Sequence, residues 1–173
     1  MEAFAIGSNG VSLGELFSRK RIIGGRDIRV RSICHDWRQC AEGDLFVAIT
    51  SADGDSHHDA MQAVERGAAA VLVEHLLPLS VPQCVVPDTR EAYAKLCMEL
   101  VGRPDQKLTT IGITGTGGKT STALLLANIL TAAGETSNIL HDPDIRGRGG
   151  SPYGPTTACQ ASIANHLRSI SQE

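Results

Sequence analysis

Aromatic residues are scarce in this chain: three Phe, two Tyr and one Trp among 173 residues, 3% in all. Stacking platforms for single-stranded nucleic acid need such rings, so that task is disfavoured. An excess of one charge is missing too. Sixteen Lys and Arg stand against 19 Asp and Glu, a formal net charge of -3. Such a balance gives no long-range field for nucleic acid or an anionic membrane surface. No apolar run approaches the roughly 20 residues of a membrane span. The stretch Met1 to Gly14 lacks the basic start and long apolar core of a secretory signal, so a cytoplasmic chain is expected. Five cysteines (Cys34, Cys40, Cys84, Cys97, Cys159) form no paired framework. In that compartment they read as reduced, mostly buried thiols.

What is present is a patterned α/β sequence. Hydrophobic residues make up 42% of the chain, enough for a core. Ser12 reads as the cap of a short helix to about Ser18, and Gly24-Gly25 as a turn. Ile28 to Ser32 alternates like a half-buried strand, and Leu45 to Ile49 is a continuous apolar strand. His57 to Gly67 reads as a helix, Ala69–Val73 and Cys84–Val86 as strands. Asp88 caps a helix from Thr89 to Val101, which Gly102 and Pro104 stop. This makes one α/β unit over 1–103. A second unit, 104–173, opens with a strand at Leu108–Thr114, then a helix from Lys119 to about Ala133. Thr136–Leu140 reads as the next strand, His141–Pro155 as a mobile loop, and Thr156 or Thr157 as the start of a last helix to about Ile170.

The sharpest motif joins that strand to that helix: Gly115-Thr116-Gly117-Gly118-Lys119-Thr120-Ser121. Strand, glycine-rich turn and helix are the context of a phosphate loop. The glycines let backbone N–H groups converge, and the positive end of the helix favours an anion. Lys119 can reach the β and γ phosphates of ATP as the catalytic cation. The Thr120 hydroxyl can ligate a bridging Mg2+. The spacing departs from G-x-x-x-x-G-K-[ST]: Ile113 stands where the first glycine belongs, and Gly112 is one step early.

The departure is informative. Ile111-Gly112-Ile113-Thr114-Gly115-Thr116-Gly117-Gly118-Lys119-Thr120-Ser121-Thr122 resembles the ATP loop of the Mur ligases, I-T-G-T-N-G-K-T-T-T, with Gly117 in place of asparagine. Gly43 to Ile49, Asp53-Gly54, Asp59, Ala63, Gly67 to Glu74, Val85, Pro87 to Arg90 and Pro104 follow the N-terminal domain of these enzymes in order. The resemblance covers about 27–134 and is nearest to the ligase that adds the third residue to UDP-N-acetylmuramoyl-dipeptide. It implies a Mur-type N-terminal α/β domain followed by the beginning of a P-loop central domain.

By that resemblance the function is ATP-dependent, amide-forming ligation of an amino acid to a UDP-N-acetylmuramoyl peptide through an acyl phosphate, in peptidoglycan precursor synthesis. ATP and Mg2+ would be cofactors, with small-molecule substrates and neither nucleic acid nor membrane as partner. His35, Trp37, Thr50, Ser51 and Ala52, with Thr156 and Thr157, would contact the UDP-substrate. Trp37 stands where the family has a serine, and the Thr50-Ser51-Ala52 segment is about two residues shorter than usual. Later ligase segments lie downstream of the matched region or are absent, so the chain alone is not expected to ligate.

Two other functions fit the same residues: a non-catalytic nucleotide- or UDP-sugar-binding module, and a small P-loop kinase or NTPase. Cys34-His35 with Cys40 has the spacing of no tight zinc site. His57-His58-Asp59 reads as a solvated helix start. Lys20, Arg21, Arg26, Arg29 and Arg31 read as a solvated strand face rather than a phosphate contact.

Overall fold

The computed structural model describes residues 10–51, 54–139, 163–165 and 167–171. In chain order the elements are β1 (Val11–Ser12), α1 (Leu13–Leu16), β2 (Arg21–Ile23), β3 (Arg29–Val30), β4 (Ile33–Cys34), β5 (Leu45–Val47), β6 (Thr50–Ser51), β7 (Gly54–Asp55), α2 (Ala60–Glu65), β8 (Ala70–Val73), β9 (Gln83–Val85), α3 (Thr89–Leu100) and α4 (Lys119–Ala132).

Five strands form the central sheet in the order β2-β9-β8-β5-β4. The pairs β4·β5, β5·β8 and β8·β9 are parallel; β2 closes one edge antiparallel to β9. Parallel strands buried on both faces read as continuous apolar runs, as β5 and β8 do. Alternate side chains then feed opposite faces. Leu45, Val47, Ala70 and Leu72 join Tyr93, Leu96 and Cys97 of α3 on one side. Phe46, Ala48, Val71 and Val73 join Ala60 and Ala63 of α2 on the other. The core is therefore two apolar layers against one sheet, an α/β sandwich as expected.

Local chemistry sets the ends. The Ser12 hydroxyl accepts from Glu15 N, and the helix it caps is shorter than predicted, ending at Leu16. Asp88 accepts from Arg90 N and Glu91 N at the start of α3. Gly67 follows α2 with φ +108, and a Cβ there would lie 3.0 Å from the Glu42 Cα, so glycine is required twice over.

Four expectations need correction. The Ile28–Ser32 segment pairs only at Arg29–Val30, and β2 and β4 are strands that the sequence reading passed over; two- and three-residue edge strands carry too little periodicity to see. The strand expected at Leu108–Thr114 is absent, and so is any strand at 136–139. A strand exists only through a ladder with a neighbour, and no described segment pairs with these residues. Ile111 is accordingly 55% exposed. Leu140, the 141–155 loop and the proposed start of the last helix lie outside the described residues. The helical piece at 163–165 does contribute: Ala164 is buried in the core layer that faces α3.

Candidate functional site

The parallel topology decides where ligand-facing loops emerge. β4, β5, β8 and β9 all end on one edge of the sheet, the edge where open α/β sheets bind ligands. His35 and Trp37 follow β4, Thr50 follows β5, Glu74 follows β8 and Pro87 follows β9. Four of the residues expected to contact the UDP-substrate, His35, Trp37, Thr50 and Ser51, thus lie beyond that edge. Ala52, Thr156 and Thr157 lie outside the described residues.

His35 is held from below. Its ring meets Tyr93 edge-on at 5.4 Å, and its Nδ1 shares a 3.2 Å hydrogen bond with the Tyr93 hydroxyl. Burial pushes the imidazole below its ordinary value, against a smaller upward pull from Asp36, so the neutral ring is favoured. Trp37 opens a tight turn, Trp37–Gln39, that Asp36 caps by accepting from Arg38 N at 3.0 Å. The Arg38 guanidinium lies 5.3 Å from the Trp37 ring, within cation–π range. The indole also packs, half-buried, on the apolar layer of α2. Thr50 and Ser51 are not in an open loop. They form β6, paired with β7 in a hairpin with Thr50 opposite Asp55 and Ser51 opposite Gly54.

The sequence reading of His57 is corrected. It is 5% exposed, not solvated. Glu74 N donates to its Nε2 at 2.9 Å, so Nδ1 carries the proton and donates to Asp55 Oδ1 at 2.5 Å. His75 stacks on it at 4.6 Å. Glu74 Oε1 in turn accepts from Thr89 N and Thr89 Oγ1, both at 3.0 Å. This chain of bonds ties the hairpin after β5 to the ends of β8 and α3. Asp55 is pulled up by burial but held lower overall by the His57 backbone N–H and ring. Only the pairing partners, 17 residues away in sequence at Glu74, reveal the role of His57; the His-His-Asp string alone does not.

A cleft of about 330 Å³ opens on the same edge, lined by Arg19, Lys20, Arg21, Glu74, Val85, Val86 and Pro87. Arg19, Lys20, Arg21 and Glu74 share this lining because β2 begins at Arg21, opposite Val85 at the end of β9.

The glycine-rich loop is built locally. Gly118 caps α4 in the left-handed region, φ +76, and Gly115 has φ +152. The Lys119 ammonium folds back on the Gly115 carbonyl at 2.7 Å, and Thr122 Oγ1 donates to the Gly118 carbonyl at 2.9 Å. Residues 114–121 are all exposed. A Cβ at Gly117 or Gly118 would meet nothing within 4 Å, so the loop has open space on that side. The Gly117 backbone is ordinary in φ, and the family's asparagine would fit it without strain. The first N–H groups of α4 have no intrahelical acceptors, an arrangement that suits an anion. Thr120 stands exposed on the first turn, free to turn its hydroxyl to a cation.

These features define a class: an α/β sheet with loops gathered on its carboxyl edge, continued by a glycine-rich loop that caps a helix. Within that class, sequence points to the Mur ligases. The chain is 42% identical over 112 residues to the UDP-N-acetylmuramoyl-L-alanyl-D-glutamate–2,6-diaminopimelate ligase of Aquifex aeolicus, covering 65% of this chain and 23% of that enzyme. It is 38% identical over 135 residues to the corresponding L-lysine ligase of Staphylococcus haemolyticus, covering 75% and 27%. The Mur-ligase resemblance, nearest to the type that adds the third residue, is borne out. The chain spans about a quarter of the length of the curated relatives it matches. Among solved structures, the MurF ligase of Thermotoga maritima in complex with ADP aligns with TM-score 0.47 and 25% identity, over 74% of this chain and 28% of that one. No protein-family model matches the chain. Among the described residues, no helix is long and apolar enough to cross a membrane.

Proposed function

We propose that this chain supplies the front end of an ATP-dependent Mur-type ligase that adds an amino acid to a UDP-N-acetylmuramoyl peptide. The carrying observation is the order of motifs: a substrate-edge α/β unit followed by a Gly115–Ser121 loop seated on a 14-residue helix. Residues 1–103 form the UDP-substrate domain in this reading, and 104–173 begin the ATP domain. The left-handed Gly102 and Arg103, φ +83 and +55, just after α3, support a boundary there.

In that role the loop N–H groups and Lys119 hold the ATP phosphates. Phosphate oxygens take over the ammonium that now rests on the Gly115 carbonyl. The residues also fit Mg2+: Thr120 would supply a hard oxygen ligand, and the ion would neutralise charge on the transferring phosphoryl group. His35, Trp37, Thr50 and Ser51 receive the uridine end, with the ring of Trp37 in place of a serine hydroxyl. The Arg19-Lys20-Arg21 cleft on the same edge suits the diphosphate.

Titration calorimetry tests this with three ligands: ATP with Mg2+, UDP, and a UDP-N-acetylmuramoyl dipeptide. Binding of both nucleotide classes supports the ligase front end. UDP binding without ATP binding favours a substrate-domain module. Binding of neither rejects the proposal, and ATP turnover by the chain alone favours a P-loop NTPase.

A further inference from the structure

The sequence Cys34-His35-Asp36-Trp37-Arg38-Gln39-Cys40 brings two thiols together that the ligase reading does not use. The Cys34 and Cys40 sulfurs lie 2.6 Å apart, both buried, in the layer between the sheet and α2. Two unbonded sulfurs prefer a wider separation, and a disulfide needs about 2.05 Å. Closing the bond therefore takes a contraction of only about 0.6 Å at the sulfurs and leaves the fold in place. Asp44 is the third buried polar group here. Its carboxylate already serves the turn, accepting from the Ala41 N–H at 2.8 Å and from the Ser32 hydroxyl. A zinc ion holding two thiolates at about 2.3 Å would space them roughly 3.7 Å apart, more than an ångström wider than found.

We propose that Cys34 and Cys40 are a reversible dithiol–disulfide pair that closes the Trp37 turn into a covalent ring. Cys40 is the attacking sulfur. The Cys34 thiol donates its hydrogen bond to Cys40, which holds Cys40 below its ordinary value, while the same bond and burial push Cys34 up. Cys40 lies directly under a surface turn whose neighbours Arg38, Gln39, Ala41 and Glu42 are exposed. The oxidant is a low-molecular-weight disulfide. The Cys40 thiolate attacks one of its sulfurs, forming a mixed disulfide and expelling a thiolate that takes up the proton Cys40 had released. Cys34 then loses its proton to water and attacks the Cys40 sulfur, expelling the second thiolate, which is protonated in turn. Two protein thiols are oxidised and one small disulfide is reduced to two thiols. Cys84 and Cys97 sit elsewhere in the core, and burial pushes them up to about 11 and about 12, so their thiolates are scarce.

The ring carries the single tryptophan of the chain, which makes the state readable. The chain is equilibrated in glutathione buffers of graded oxidised-to-reduced ratio, acid-quenched, unfolded, alkylated and mapped by mass spectrometry. Cys34 and Cys40 are expected to lose alkylation together, leaving a species about 2 Da lighter than the unalkylated dithiol, at ratios where Cys84 and Cys97 remain alkylated. Trp37 emission should change in step and return with dithiothreitol. In Cys40→Ser, Cys34 should stay alkylated throughout and the emission change should vanish. The proposal is overturned if both thiols remain alkylated across the series, if they end as separate glutathione adducts, or if Zn2+ alone protects them at one ion per chain.

Discussion

Val71 and Leu125 are both aliphatic, and the structure treats them oppositely. Val71 in β8 is fully buried, whereas Leu125 on α4 is 66% exposed. The contrast extends to their regions. The sheet unit closes on itself: strands pair, two apolar layers fill, and polar ends such as His57, Glu74 and Thr89 bond to one another. The helix α4 buries no residue, and Leu124 and Ile129 beside Leu125 are also exposed. Yet the glycine-rich loop at its head has definite geometry. Its form comes from left-handed glycines and short-range bonds between residues four apart, Lys119 to Gly115 and Thr122 to Gly118. A fold that depends on long-range contacts and a motif that depends on local ones therefore respond to different mutations.

The same division explains what could be read from the sequence. Continuous runs such as Leu45–Val47 and Ala70–Val73 announced buried strands, and the Asp88 cap and Gly102 stop fixed α3 closely. The glycine loop announced itself because its chemistry is contiguous. The strand ahead of it did not form as expected, since apolar pattern alone supplies no partner for the ladder at 108–114. Trp37 was visible only as a substitution; its packing under Arg38 needed three dimensions. His57 misled for the same reason, because its acceptor and donor arrive from β7 and the end of β8.

The largest test of the contrast is in the cores. Phe46→Ala removes a fully buried ring from the α2 layer and should cost about 3–5 kcal/mol in urea unfolding. Leu125→Ala removes an exposed side chain and should change stability by about 0.5 kcal/mol or less. Equal losses would mean that α4 is packed as tightly as the sheet. Lys119→Ala reverses the pattern. A charge-assisted bond is worth roughly 1.5–3 kcal/mol, so ATP affinity by calorimetry should fall roughly 10- to 100-fold with the melting temperature unchanged. Unchanged affinity would sink the phosphate-loop assignment. A smaller effect is expected at the cap of α3. Asp88→Ala frees the Arg90 and Glu91 N–H groups and should cost about 1 kcal/mol. Thr122→Val on α4, whose hydroxyl bonds only to its own helix, should stay within about 0.5 kcal/mol.

The smallest effect separates the regions by pH. His35 is favoured neutral in the fold because burial lowers it from 6.5. Between that value and its lower folded value, the unfolded chain binds the extra proton. Stability from this group is therefore fully present above about 6.5 and is lost as pH falls through the folded value. Asp55 and Asp27 are also held low, from 3.8, and their contributions are lost only when pH drops below that point. A window between roughly pH 4 and 6.5 thus isolates the histidine effect from those carboxylates. His35→Asn should flatten the urea midpoint across that window relative to the parent chain. Tyr93→Phe, which deletes the hydroxyl on Nδ1, tests whether the bond or burial holds the ring neutral. Because burial is what lowers the imidazole, the pH dependence should survive in Tyr93→Phe and vanish only in His35→Asn. ATP binding at the Lys119 loop should follow neither variant, because the Lys119 ammonium and the Thr122 hydroxyl bond within that loop, to the Gly115 and Gly118 carbonyls. Loss of ATP binding in His35→Asn would join the two regions into one cooperative unit and undo the contrast between them.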